Sequence, residues 1–297
     1  MEYELLDNGV VDKLKYLKNQ AKDKVAAIVV PHPDDFDILV GHPAQYLIKH
    51  GFKVYEILMT GGEYGLVNRG LEEFAHLKGK PLRKIRKMEN DEAKRRYGVN
   101  PNGEQIVKTV PLGYIDGYSP FNRKSVKRLA KVFKFLSPSI IMGPDPLYSI
   151  DWHHDHMMAA DNTYFAVREV QNELKLSHYY AFQTYNPNIF IPEQSWDIFQ
   201  QSLEAHRSQL TPLSILIMKS FLKNIFYRLK RHRVGLRLIS FEIPQNISSL
   251  LNRIKHHLFC GKTPAVPDRS LYFPQPEKLG LKRIPDNDAL NESLQLT

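Results

Sequence analysis

Residues 25–30 read Val-Ala-Ala-Ile-Val-Val, an apolar run with no polar alternation. That pattern suits a strand buried on both faces of a parallel sheet. Pro31 and Pro33 end the run and stiffen its exit. Residues 52–60, 106–112 and 139–142 repeat the strand character, and segments of helical character at 38–50, 84–97, 122–135 and 157–174 alternate with them. Gly51 and Gly98 close the first two of these helices. Strand, helix, strand, helix in this order predicts a single α/β domain, Rossmann-like, with a mostly parallel doubly wound sheet, helices on both faces and right-handed crossovers.

An amphipathic helix is expected at 6–22, ahead of the first strand. Short β-like runs at 179–182 and 189–191 are followed by an amphipathic helix at 194–209. Residues 213–233 again show helical spacing, with Ile215, Met218, Leu222, Ile225, Phe226 and Leu229 set among lysines and arginines. Beyond Gly261, five prolines break regular structure. Residues 1–210 are therefore taken as the α/β domain. Residues 211–297 are taken as a helical and extended C-terminal extension packed on it.

The chain has 297 residues and a formal net charge of +9. The excess is local: residues 205–241 contain no Asp or Glu and carry Arg207, Lys219, Lys223, Arg228, Lys230, Arg231, Arg233 and Arg237. Interleaved Ile, Leu and Phe fit an apolar surface better than a phosphate groove, so nucleic acid is not an expected partner. Two accounts of residues 213–237 stay open: a basic amphipathic helix lying on an anionic membrane, or one packed on its own protein with a solvated face. A single cysteine, Cys260, rules out an internal disulfide framework. No segment approaches the ~20 apolar residues of a membrane span, and the first 24 residues hold no secretory h-region. The expected address is the cytoplasm, with peripheral membrane contact through the basic segment only under the first of those two accounts. The oligomeric state is not legible.

The candidate chemistry lies at the carboxyl ends of strands, where open α/β sheets bind ligands. His32, Asp34 and Asp35 follow the first strand. Thr60-Gly61-Gly62-Glu63-Tyr64-Gly65 follows the second, where glycines either make a tight turn or let backbone approach a ligand. Arg86 and Glu89 stand three apart on a helix, which on its own reads as a surface ion pair. Asp151, His153, His154, Asp155 and His156 precede the helix at 157–174, and three histidines in four residues point to metal ligation more than to packing. In a parallel sheet the first and last clusters open at one edge.

Together these motifs resemble the zinc-dependent N-acetylglucosamine deacetylases, the family of the glycosylphosphatidylinositol-pathway de-N-acetylase and the mycothiol and bacillithiol pathway deacetylases. The resemblance runs from about residue 25 to 209. It rests on His32-Pro33-Asp34-Asp35 with Asp37 in the acidic place, the loop 60–65, Arg86-x-x-Glu89-x-x-x-Ala93 ahead of Tyr97-Gly98, Asp151-x-His153-x-Asp155-His156, and His206-x-Ser208-Gln209. The resemblance implies that His32, Asp35 and His156 hold Zn²⁺ and that Asp34 is the general base. His153, steadied by Asp155, would face the oxyanion, with His154 beside it as the other candidate. Gly62, Glu63, Arg86 and Glu89 would bind an amino-sugar substrate, small or lipid-linked. Two His and one carboxylate leave a further position on zinc for water, and a free Asp beside a ligand can take that water's proton. A mononuclear iron oxygenase shares the ligand set but is normally built on a β-barrel. The remaining alternative is a non-catalytic carbohydrate- or membrane-surface-binding protein that keeps the fold.

Overall fold

The computed structural model describes residues 24–65, 71–74, 76–149, 151, 153–174, 176, 178–222 and 233–239. The helix expected at 6–22 and the Pro-rich stretch after 261 lie outside the described residues. Strands β1 (Val25–Val30), β2 (Lys53–Thr60), β3 (Val107–Tyr114), β4 (Ile140–Pro144), β5 (His178–Phe182), β6 (Ile189–Pro192) and β7 (Arg233–Leu238) join in one sheet of order β3-β2-β1-β4-β5-β7-β6. β1 to β5 are parallel, with Val29 opposite Ile57 and Ile28 opposite Met142. β7 runs antiparallel to both β5 and β6.

Helices α1 (Asp35–Lys49), α2 (Lys80–Arg95), α3 (Arg123–Leu136), α4 (His154–Val170), α5 (Trp196–Glu204) and α6 (Pro212–Phe221) complete the described elements. All six residues of β1 are buried, and they divide between two cores by the period of two. Ala26, Ile28 and Val30 meet Phe36, Val40, Ala44 and Leu47 of α1. Ala27 and Val29 face Leu129 and Phe133 of α3 and Ala159, Ala166 and Val167 of α4. The doubly wound α/β architecture expected from the sequence is therefore the one observed.

Helix starts differ from the periodicity reading for local reasons. α1 opens at Asp35, where Asp35 and Asp37 in the first turn complement the helix dipole. α2 opens at Lys80 with Pro81 in its first turn, a position that tolerates proline. α4 opens at His154, capped by His153.

The larger correction concerns the basic segment, where a helix was expected to run to residue 233. α6 ends at Phe221, residues 223–232 lie outside the described set, and 233–238 is strand β7. Val234 and Leu236 are buried while Arg233 and Arg237 alternate with them, a strand period that the surrounding cations obscure. α6 packs Ile215, Met218 and Leu222 against Phe199 and Leu203 of α5. Among the described residues, no helix is long and apolar enough to cross a membrane.

Candidate metal centre and active site

The chain turns one way from β1 through β2 to β3 and the other way from β4 to β5, so a crevice opens beyond the carboxyl ends of β1 and β4. Five loops meet there, carrying His32 to Asp35, Gly62 and Glu63, Asp116, Asp151 to His156, and Gln183. The clusters 120 residues apart in sequence are in contact: Asp35 Oδ2 lies 2.9 Å from His32 Nδ1 and 3.2 Å from His156 Nε2.

Each imidazole is held from behind by a carboxylate. His32 Nε2 lies 3.1 Å from Asp116 and 3.2 Å from Asp155. His156 Nδ1 lies 2.6 Å from Asp151 Oδ2. Carboxylates only accept, so the outward nitrogens donate to Asp116, Asp155 and Asp151 and the inward ones, His32 Nδ1 and His156 Nε2, donate to Asp35; an ion bound between them would displace the inward hydrogens and leave the outward ones in place. Burial opposes charge on both rings, but Asp116, Asp155 and Asp35 raise the His32 pKa well above the ordinary value. Asp35 and Asp151 likewise raise His156 to about 10. Burial would raise the pKa of Asp35, yet His156 and His32 hold it well below the usual carboxylate range. Four carboxylates therefore converge on a crevice whose neutrality requires positive charge; the two charged rings supply it without metal, and a divalent cation that displaces their inward protons fits the donor set of His32 Nδ1, His156 Nε2 and Asp35.

Other donor groupings are present. Atoms of His32, His153 and His156 lie within 4.8 Å of one another, as do those of His32, Asp116 and Asp155. Asp116 and Asp155 are already engaged by backbone: Asp116 accepts from the Tyr64 amide at 2.9 Å, and Asp155 accepts from Gly117 at 2.6 Å and Ser119 at 3.1 Å. Those bonds let the two carboxylates orient His32; Asp35 Oδ2 also accepts from the His32 amide at 2.9 Å, and what singles it out as a ligand is its place between the two imidazoles.

Asp34 sits beside this set as N-cap of α1 and accepts a hydrogen bond from Arg86 Nη2. Arg86 also donates to the Gly62 carbonyl at 2.9 Å. Gly62 has φ +65, and a Cβ there would lie 2.1 Å from Arg86 Nη1, so only glycine leaves room for the guanidinium. Arg86 and Glu89 do not form the expected surface pair. Arg86 is 2% exposed, and Glu89 accepts from the Ser208 amide at 2.7 Å and its hydroxyl at 2.6 Å. Both were expected at the substrate; the structure turns both toward the protein's own groups. Glu63 is fully buried, with Arg83 Nη1 3.8 Å from its Oε1.

His153 and His154 separate clearly. The His153 ring stands 5.0 Å from that of His32 and 5.2 Å from that of His156, whereas His154 Nε2 lies 3.1 Å from the Ser119 carbonyl. His153 Nδ1 accepts from the Asp155 amide at 3.3 Å, which puts the proton of the neutral ring on Nε2. Burial and the charges of His32 and His156 lower the His153 pKa. The expectation that Asp155 steadies His153 is likewise corrected: its carboxylate is fixed on His32 by the Gly117 and Ser119 amides.

Sequence reasoning overlooked Asp116, Gln183 and the brace behind the site. Asp37, expected in the acidic place of the first motif, receives Lys94 Nζ at 2.9 Å, Tyr97 Oη at 2.7 Å and His206 Nε2 at 2.8 Å. Lys94 also meets Glu56 at 3.2 Å. These links tie α1 to α2 and to the turn after α5. Spacing alone could flag Asp116, since an Asp-Gly pair follows a strand, but nothing local marks Gln183.

Residues 27–169 match the family model described as GlcNAc-PI de-N-acetylase, PIG-L. The diacetylchitobiose deacetylase of Thermococcus kodakarensis is 26% identical over 154 residues, 51% of this chain and 53% of the relative, so the chain spans about half the length of that curated protein. The N,N'-diacetylchitobiose deacetylase of Pyrococcus horikoshii, solved with an inhibitor, superposes with TM-score 0.62 at 23% identity, covering 82% of this chain and 97% of that one. The 4-carboxy-2-hydroxymuconate hydratase of Pseudomonas putida KT2440 superposes with TM-score 0.59 at 17% identity, covering 75% of this chain and 99% of the hydratase. At these identities the two superpositions establish the fold alone.

Proposed function

Because residues 27–169 belong to the GlcNAc-PI de-N-acetylase family, PIG-L, we propose that this chain is a metal-dependent hydrolase that removes the N-acetyl group from an N-acetylglucosamine conjugate. The observation that carries this reading is the convergence of His32 Nδ1, Asp35 Oδ2 and His156 Nε2 beside Asp34. His32, Asp35 and His156 would hold the ion, with zinc favoured by two imidazoles and one carboxylate. Bound there, it supplies Lewis acidity to the water and to the amide carbonyl.

Asp34 acts as general base. It takes a proton from the water whose oxygen attacks the acyl carbon, and Arg86 fixes the carboxylate's direction. His153 presents its Nε2 hydrogen to the developing oxyanion. The C–N bond then breaks, the amine nitrogen takes the proton, and acetate and a free amino sugar leave. Asp155 and Asp116 orient His32, and Asp151 orients His156. Among the substrate-binding residues read from the sequence, Glu63 is buried beside Arg83 and reaches a sugar hydroxyl only if that pairing opens. Gly62 makes space for Arg86, which with Glu89 holds the loops in place. Contact of the basic C-terminal region with an anionic membrane, and a cytoplasmic address, belong to the same proposal.

Acetate release from a panel of N-acetylglucosaminides, with and without chelator, tests it. Chelator-sensitive release from at least one conjugate is expected. No release from any conjugate by protein carrying one equivalent of zinc would overturn it.

A further inference from the structure

Gln183, in the loop after β5, adopts φ +53, one of two left-handed non-glycine residues among those described. The other, Ser137, is the C-cap of α3, an ordinary place for that conformation. Gln183 caps no helix, and a left-handed residue of this kind is strained and persists only where its surroundings over-determine it. What its side chain touches is the site. Nε2 donates to Asp151 Oδ2 at 2.8 Å and Oε1 lies 3.3 Å from His156 Nδ1.

The chemistry of those partners fixes the carboxamide's sense. Asp151 only accepts, so the edge facing it must be the NH₂, and the carbonyl edge is then left for His156. Nδ1 lies 2.6 Å from Asp151 Oδ2 and 3.3 Å from the carbonyl, so its hydrogen goes to the carboxylate and the carbonyl adds only a longer contact; with that hydrogen kept on Nδ1, Nε2 is the nitrogen that would ligate an ion. Asp151 alone permits the same tautomer; its Oδ1 accepts from the His153 amide at 2.8 Å within its own half-buried loop, which leaves Oδ2 to be directed. Gln183 pins it from a different strand.

We infer that Gln183 is a positioning residue for His156, acting through Asp151, and that its strained backbone is held for that purpose. The inference rests on the reading of His32, Asp35 and His156 as a metal site. Loss of a partner behind a ligating histidine typically costs 10–100-fold in metal affinity.

The test is competition titration of metal-stripped full-length protein with zinc ion, together with thermal unfolding of the metal-free form. Gln183→Gly relaxes the backbone and deletes the carboxamide. It should unfold at the same or a higher temperature than wild type yet bind zinc at least ~10-fold more weakly. A purely structural residue would not move the two readouts apart. In an Asp151→Asn background the further change Gln183→Gly should add less than twofold, because the amide acts through the carboxylate. Wild-type affinity in Gln183→Gly, or full additivity with Asp151→Asn, overturns the role of Gln183 while leaving the metal reading intact. A wild-type protein that takes up no zinc overturns the metal reading and this role with it.

Discussion

Lys94 Nζ and Asp37 Oδ2 are 2.9 Å apart, and neither side chain is exposed at all. A buried pair of this kind costs several kcal/mol to desolvate and is kept only when its remaining hydrogen-bonding capacity is filled, as Glu56, Tyr97 and His206 fill it here. Asp37 lies two residues from Asp35, so the network sets where α1 begins.

Lys94→Met should therefore leave Asp37 and Glu56 facing each other without a cation. The expected loss is about 3–5 kcal/mol, the range for breaking one side of a buried pair. Urea unfolding of the metal-free protein measures it. A loss below about 1 kcal/mol would mean that the network does not hold the helices.

Asp34→Ala and His156→Ala should part company. The first removes the base and leaves His32, Asp35 and His156 in place, so activity falls by at least ~100-fold, within the 10²–10⁴ range of general-base contributions, with zinc content unchanged. The second removes a ligand, and both zinc content and activity fall. Equal zinc loss in both variants would mean that the division between base and ligand is wrong.

The alternation of strands and helices and the meeting of the His32 and His156 clusters were legible because both depend on patterns that a parallel sheet enforces: uniform apolar runs, and loops that open at one edge. Asp34, Asp35, His153 and His156 were legible as residue types clustered beside those runs. What was not legible depends on contacts between segments distant in sequence. Arg86 and Glu89 look like a surface pair because i,i+3 spacing says nothing of depth, and only Ser208 and Asp34, from other elements, show that they are buried. β7 was hidden because its arginines prolong the basic composition of the helix before it. Asp155 was assigned to its neighbour His153, whereas the backbone of the β3–α3 loop draws it to His32.

His42 offers a pH-dependent stability remote from the catalytic carboxylates. Its ring is 1% exposed, stacked on Phe199 with centroids 5.2 Å apart and edge-on to Trp196 at 4.6 Å, and its Nδ1 accepts from the Gln194 amide at 2.9 Å. Burial lowers its pKa to about 4. Between that value and the ordinary 6.5 the unfolded chain binds the proton and the folded one does not, so stability is complete above about 6.5 and falls as pH drops toward 4. The full effect is on the order of 3 kcal/mol. Unfolding free energies at pH 7 and pH 4.5 should differ by less in His42→Gln than in wild type. An equal difference in both proteins would remove His42 as the cause.

α6 decides between the two accounts of the basic segment only in part, because it is apolar on both sides. Ile215 is buried against α5, while Leu213, Leu216, Ile217 and Phe221 are 65%, 59%, 59% and 51% exposed on the other face. Their spacing of three, four and eight puts them on one stripe. α6 begins three residues after Gln209, whose Oε1 lies where a Cβ on Gly65 would fall, so the stripe follows directly on a residue at the glycine loop of the site. Not all the nearby cations are available to a membrane: Arg207 pairs with Glu73 at 3.2 Å, and Arg237 lies over the Tyr148 ring at 3.7 Å. Lys219 donates to Gln200 at 2.6 Å; Lys223, Arg228, Lys230 and Arg231 follow in an acid-free stretch of the sequence, and at ~1 kcal/mol for each cation near an anionic surface they give reversible attachment. Burying the four apolar side chains adds to it without salt dependence. Full-length protein should therefore co-sediment with phosphatidylserine-containing vesicles at low salt and be partly released at ~1 M, where charge is screened within about 3 Å. Leu216→Ser with Ile217→Ser should weaken the fraction that salt does not release. Binding indifferent to the anionic lipid fraction, or none at low salt, would leave α6 as a helix that serves only to pack on α5.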